Sequence, residues 1–324
     1  MPIRRDTPYF IINPSSGGGR ARRLWPTVTS KIRMALGPFE FVFTVSHEDV
    51  MRQTHLALQK GFRKIISVGG DGTLNAVVNA LMRDPKKNSQ VTLGVFPLGT
   101  GDDFVKTLRW PTNPNEILQR LKEEKTSMVD VGKISFSKSP QPPFDKGGQG
   151  GILTRDADRY FLNIADFGLG GNVVQIVNNA SKLWGAKAAY FGAIAKTLFT
   201  FRSFSAEIKI SEKTFQFKEM VMGVVANGRY FSSGLCIAPE AEIADGLFDI
   251  FLVEKVNILD FLRYLVPLLK GEKIEGKGIH HFRSSFLEVQ STSPHPVFLQ
   301  GDGEMLGELP VRFEVLPKAL RMYV

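Results

Sequence analysis

One cysteine, Cys236, stands among 324 residues. A single thiol cannot close an internal disulfide, and no cysteine cage for a metal can be built from it. Usage this sparse fits a reducing cytosol, and the flanking "SSGLCIAP" reads as a buried structural thiol. The five histidines show no H-E-x-x-H spacing, and His280-His281 reads as surface rather than as a ligand pair. Long apolar runs are also missing. Lys187 and Lys196 interrupt "LWGAKAAYFGAIAKTLFTF", and Asp260 and Arg263 interrupt "ILDFLRYLVPLLK". Neither reaches the roughly twenty residues that a membrane span needs. The start, "MPIRRDTPYFIINP", lacks an apolar core followed by a cleavage site, so no signal peptide is expected. Without G-x-x-x-x-G-K-[ST], the chain is not a P-loop protein. No period of about 20 to 50 residues marks a repeat architecture. "DFG" at 166–168 lacks the other protein-kinase motifs, and "GLGGN" at 168–172 is too short for a dinucleotide fingerprint.

Acid is scarcer than base: 41 Lys and Arg against 32 Asp and Glu leave a net charge of +9. Such a surplus suits an anionic partner, whether nucleic acid, membrane or phosphorylated substrate, and equally suits charge spread for solubility. At 324 residues the chain is long for a single core and suggests two domains.

The first third alternates strand and helix. "YFIIN" (9–13), "FEFVFTV" (39–45), "KIISV" (64–68) and "TLGVF" (92–96) are short apolar runs. Between them, Leu24, Val28, Ile32 and Leu36 form one helical stripe, and Leu74, Val77, Val78 and Leu81 form another. A further helix around Leu56 and Ala57 ends near Gly61. Alternation at this spacing predicts a parallel sheet with right-handed crossovers. From about Val131 the chain reads as strands separated by turns, among them "VGKISFS", "YFLNIADFG", "FQFKEMVMGVVANG", "LFDIFLV" and "SSFLEVQS", which predicts a β-sandwich or barrel-like domain. Helical stretches are expected at roughly 173–201 and 257–270, and the Pro- and Gly-rich 139–151 reads as a mobile inserted loop. "VRFEVLPKALRMYV" reads as a strand with a short tail.

Ligands of an open parallel sheet bind beyond the carboxyl ends of its strands. Three glycine-rich loops stand at such ends: "NPSSGGG", "GGDGT" and "PLGTGDD", with Thr44 closing the second strand. Glycines let backbone N–H groups approach a phosphate, and a helix N-terminus adds positive dipole. Asp71 would repel a bare phosphate, so it makes sense beside Mg2+; the competing reading is a helix-capping turn. Further on, "LQGDGE" places Asp302 and Glu304 two apart, on one face if the chain is extended, and a polar hairpin turn is the alternative. Such a carboxylate pair can furnish a general base. In "EAEIADGLFDI", Asp245 and neighbouring carbonyls could hold a hard cation, or form a plain turn.

"GGDGTLN" with "PLGTGDDF", preceded by "NPSSGGG", resembles the diacylglycerol kinase catalytic domain. More closely, the chain is similar to the bacterial diacylglycerol kinase-like lipid kinases, relatives of the sphingosine kinases. The similarity extends to "ADGLFDI", "DGE" and the final "LPKAL". It implies an α/β nucleotide-binding domain, a C-terminal β-sandwich domain and a tail that returns to the first domain. The expected division is 1–131 with 306–324 for ATP, and 132–305 for the lipid. By resemblance, ATP is held by Asn13, Pro14, Ser15, Ser16, Gly17, Thr44, Gly69, Gly70, Asp71, Gly72, Thr73, Leu74, Asn75, Thr100 and Asp103. Glu304 resembles the proton acceptor, with Asp302 beside it. Asp245 resembles a Mg2+ ligand, completed by backbone oxygens of Glu242 and Leu247. Asp71 and Asp103 resemble acids tied to the catalytic metal. Where the family reads G-T-x-N-D, this chain has "GTGDD"; Asp102 adds a charge that metal or Lys106 must offset. The implied protein is a cytoplasmic ATP- and Mg2+-dependent lipid kinase, peripheral at an anionic membrane. It has no nucleic-acid partner, and a homodimer is compatible with it. An NAD kinase-like enzyme acting on a soluble substrate and a non-catalytic nucleotide-binding regulator stay open as alternatives.

Overall fold

Pro8–Ile12 (β1), buried at all five positions, opens the strand–helix series of the computed structural model. The structure describes residues 6–86, 88–136, 158–170, 201–232, 234–254, 263–264, 267–268 and 270–324. The 139–151 loop lies outside the described residues, as do nearly all of the expected helices at 173–201 and 257–270. The chain divides into two compact units. One comprises Met1–Val131, Ile243–Asp245 and Leu316–Val324; the other comprises Gly132–Glu242 and Gly246–Val315.

In the first unit, β1 is followed by Ser16–Leu36 (α1), Glu40–Phe43 (β2), His47–Gln59 (α2), Lys64–Gly69 (β3), Asp71–Met82 (α3), Thr92–Pro97 (β4), Asp103–Thr107 (α4) and Pro114–Glu123 (α5). β1 pairs in parallel with β2 and β3, and β3 pairs in parallel with β4. The chain reverses its winding between β1 and β3, the switch point where open α/β sheets bind ligands. Apolar periodicity produced the helices largely as expected. α1 buries Ala21, Trp25, Val28 and Ile32, and α2 is capped by the Ser46 hydroxyl, which accepts from the Asp49 amide at 3.1 Å. α3 differs from the single stripe expected. Every residue from Thr73 to Met82 is buried, because α3 packs against both β3 and α2. α5 escaped the periodic reading, although Asn113 caps it and Pro114 occupies its first turn.

Thr126–Phe136 (β5) leads out of the first unit, and the second is almost wholly antiparallel. Its strands are Arg159–Phe161 (β6), Ile164–Gly168 (β7), Phe204–Ile210 (β8), Lys213–Ala226 (β9), Tyr230–Phe231 (β10), Leu235–Cys236 (β11), Phe248–Glu254 (β12), Ile279–Ser284 (β13), Phe286–Ser291 (β14), Phe298–Gly301 (β15), Glu304–Glu308 (β16) and Val311–Tyr323 (β17). β9 organises it: the first half pairs with β8, and the second half pairs with β7 on one side and β12 on the other. The core is aromatic. Phe161 stacks on Phe248 at 5.5 Å between ring centroids, and Phe313 meets both Phe161 and Phe167.

Two strand readings need correction. "YFLNIADFG" is not one strand but β6 and β7, broken at Leu162 and Asn163, whose amides turn to a carboxylate instead of a ladder partner. The chain's end is not a strand with a tail but one 13-residue strand. Near Val311 β17 pairs with β14; after Lys318, at φ +49°, it runs parallel to β4 in the first unit's sheet. The C-terminus thus returns to the α/β domain.

Candidate functional site

Four parallel strands point their carboxyl ends to one edge of the first unit, and the loops found there touch. A Cβ on Gly17, at φ +59°, would lie 2.5 Å from the Leu98 carbonyl oxygen. A Cβ on Gly99 would lie 2.6 Å from the Gly70 Cα, and one on Gly69 would collide with the Thr73 hydroxyl. The three loops are therefore held at backbone distance, and only glycine permits this. Hydrogen bonds stitch them together. The Asn13 amide donates to the Val68 carbonyl at 3.0 Å, and the Leu98 amide to the Gly69 carbonyl at 2.8 Å. The Asn13 side-chain amide donates to the Thr73 hydroxyl at 3.2 Å, and the Thr44 hydroxyl donates to the Ile12 carbonyl at 3.0 Å.

Gly17, Gly18 and Gly19 all lie in the left-handed region, so regular α1 begins after them, and Ser15, Ser16 and the glycines form an open loop. Thr100 is exposed on the loop after β4, while Gly70 and Gly72 flank the start of α3. Leu74 and Asn75 face inward, 3% and 4% exposed; the Leu74 amide donates to the Gly70 carbonyl, and the Asn75 side-chain oxygen accepts from Asn79. Pro14 is half-buried between Asn13 and Ser15. All fifteen residues expected to hold the nucleotide belong to this one edge.

Asp71 is a capping residue, though of another helix than its own. Its carboxylate accepts from the amides of Asp103 and Phe104 at 3.1 and 3.4 Å, so it caps α4 rather than its own helix. Asp102, the N-cap of α4, is left-handed at φ +49°, and its Oδ1 accepts from the Gly99 amide at 3.1 Å. Burial, and after it the charge of Asp71, pushes the Asp102 carboxyl up to about 7. Of the two offsets offered for Asp102, metal or Lys106, the lysine makes its direct ion pair with Asp103, at 2.6 Å, and opposes the rise at Asp102 only through its charge. Asp71, Asp102 and Asp103 lie together here, and Mg2+ bound by one or two carboxylates and by phosphate oxygens would suit such oxygens. Among the described residues, no group of three or more His, Cys, Asp or Glu side chains is placed to hold a metal ion by itself.

Glu242 and Asp245 are exposed in the turns before β12, and Leu247 is half-buried there. Asp130 was missed by the sequence reading. It is fully buried, its amide donates to the Ile243 carbonyl at 2.7 Å, and its carboxylate accepts from the Lys318 amide at 2.6 Å. It fixes the segment that carries Asp245. The available signal was a charged residue inside the apolar run "MVDVG".

In the second unit, Asp302 and Glu304 do not share an extended strand; of the two readings of this motif, the polar hairpin turn is the one observed. Asp302 at φ +50° and Gly303 at φ +85° are the two residues of a tight hairpin, and Glu304 pairs with Gly301 as β16 begins. The Asp302 carboxylate accepts from the amides of Leu162, Asn163 and Ile164 at 2.9, 3.0 and 3.1 Å. Its oxygens are committed to the backbone, and it anchors the hairpin that presents Glu304. Glu304 is half-buried at the start of β16.

The diacylglycerol kinase catalytic domain family matches residues 7–134, and the YegS C-terminal NAD kinase beta sandwich-like domain family matches residues 163–324. A diacylglycerol kinase of Staphylococcus carnosus (strain TM300) is 26% identical over 322 residues, covering 98% of this chain and 95% of that one. A diacylglycerol kinase of Bacillus subtilis (strain 168) is 29% identical over 304 residues, covering 94% and 91%. The crystal structure of a diacylglycerol kinase from Bacillus anthracis str. Sterne superposes at a TM-score of 0.70 over 98% of this chain and 96% of that one, at 21% identity, a likeness of fold.

Proposed function

The chain belongs to the bacterial diacylglycerol kinase-like lipid kinase family, and from that premise we propose that it transfers the γ-phosphate of ATP to a lipid hydroxyl, diacylglycerol or a related lipid, in a Mg2+-dependent reaction. The observation that carries this reading is the contact between the three glycine loops at the carboxyl edge of a parallel sheet. Their amides and the N-terminus of α3 suit a polyphosphate.

Each residue then has a task. Asn13 to Gly17, Gly69 to Asn75 and Thr100 position the phosphates, and Thr44 closes the wall after β2. Asp71 and Asp103 would serve the catalytic Mg2+ and its waters, and Asp245, with the carbonyls of Glu242 and Leu247, would hold a Mg2+ ion. When bound, the metal neutralises charge on the β- and γ-phosphates. Glu304 takes the proton from the attacking lipid hydroxyl, and Asp302 keeps the hairpin that carries it in place. Phosphoryl transfer asks little covalent chemistry of a protein, so positioning and charge stabilisation supply most of the acceleration.

The test is to incubate the full-length protein with radiolabelled ATP, Mg2+ and a panel of lipids in mixed micelles, with NAD as a soluble control. Label should enter a lipid. Label in NAD alone, or no ATP consumption with any acceptor, overturns the reading.

A further inference from the structure

At the far side of the first unit's sheet, beyond β1, the strand order ends at β2, and this margin is unlike an edge built to stay in water. Phe39, Phe41 and Phe43 occupy alternate positions and share a face. Phe41 and Phe43 are 45% and 43% exposed, and Val45, next in the alternation, is 91% exposed. The row is held in place: Trp25 of α1 lies 5.3 Å from Phe41 and 6.5 Å from Phe43 between ring centroids, and Phe41 meets Phe43 at 5.7 Å. The helix carrying Trp25 has Arg20, Arg22, Arg23, Lys31 and Arg33 and no acidic residue, and all five cations are exposed. The Arg33 guanidinium lies over the Phe39 ring, 5.6 Å from its centroid.

We propose that this aromatic and cationic margin docks the protein on an anionic lipid bilayer, with Phe43 and Val45 entering the boundary between headgroups and acyl chains and the α1 cations meeting the headgroup phosphates. The inference rests on the lipid kinase reading and names the surface that reading needs. Two weak signals, apolar insertion and basic attraction, together give reversible binding where neither suffices alone. No described helix is long and apolar enough to cross a membrane. Its position suits the task. β2 runs parallel to β1, so Val45 emerges at the same sheet edge as the glycine loops, one residue past Thr44. A second copy fits the face less well, because a two-fold contact would set the α1 cations of one chain against those of the other.

The test is co-sedimentation of the full-length protein with phosphatidylcholine vesicles, with and without about 30 mol % phosphatidylglycerol. Wild type should bind the anionic vesicles and release them in high salt. Arg22→Gln/Arg33→Gln should weaken binding about 25-fold, roughly fivefold for each cation lost. Phe43→Ser/Val45→Ser should weaken it at least about tenfold. Both variants should keep wild-type turnover on a short-chain diacylglycerol dispersed as monomers. Unchanged vesicle binding in both variants overturns the proposal. So does a wild-type dimer, seen by sedimentation equilibrium, that Phe43→Ser/Val45→Ser converts to monomer. If no lipid is phosphorylated under any condition, the kinase reading falls, while the vesicle measurements still decide the docking face.

Discussion

Asp302 and Glu304 stand two residues apart and do different work. Asp302 fills its oxygens with three backbone amides, so Asp302→Ala strands those donors. It should cost about 2–3 kcal/mol of stability, read by urea unfolding. Glu304→Ala should instead lower turnover by about 10²–10⁴-fold with ATP affinity unchanged, read by single-turnover rates beside an ATP titration. Unchanged turnover in that variant removes Glu304 from the role of base. Asp102 carries a separate prediction. Its carboxyl is pushed up to about 7, so the native state keeps a proton that the open chain has released by about pH 4. Stability from this group therefore falls as pH rises between those values and levels off above about 7. Asp102→Asn removes the titration. It should stabilise the protein by about 1–2 kcal/mol at pH 8 and by almost nothing near pH 4, seen in thermal melts across pH. A neutral Asp102 offers the same kind of hydrogen-bonding group as asparagine, which explains how the loop tolerates the exchange.

Elements were legible wherever one periodicity governed them. β1, β3, β4, α1 and α2 followed from apolar spacing, because each has one face or one run to bury. The misreading of "YFLNIADFG" has a plain cause: a distant partner overrode the local pattern. Leu162 and Asn163 sit in an apolar, strand-like run, yet their amides serve a carboxylate some 140 residues away. The Asp302–Gly303 hairpin, by contrast, was legible as a turn, because both residues occupy left-handed backbone, which Asp-Gly favours. The glycine loops depend on close approach. Gly99→Ala would drive a methyl group into the Gly70 backbone and the Asp102 carboxylate. It should reduce ATP affinity at least about tenfold, measured by calorimetry, with a stability loss of about 1–3 kcal/mol. Retained affinity would show that the loops need not touch to hold the nucleotide.

In the molecule as a whole, a second buried acid adds to the response to pH. Asp166 in β7 is fully buried, accepts from Gln300 through one oxygen and has no hydrogen-bond partner for the other among the described residues. Burial pushes its carboxyl up to about 7 as well. Asp102 lies in the first unit and Asp166 in the second, so both should lose stability as pH rises from about 4 to 7. Unfolding of Asp102→Asn/Asp166→Asn should therefore vary less with pH over this range than wild type; an equal slope in both proteins would refute it. The sequence by itself determined the α/β and the strand-rich halves and the glycine loops, because each is written in local spacing that survives without neighbours; the family came from the resemblance of its motifs. Tertiary structure alone decided that Asp71 caps a helix other than its own, that Lys106 serves Asp103, that Asp130 holds the Asp245 segment, and that β2 leaves its aromatic row uncovered. Those outcomes depend on which backbone amides and side chains the folded chain brings within a few ångströms, and separation along the sequence does not record that distance.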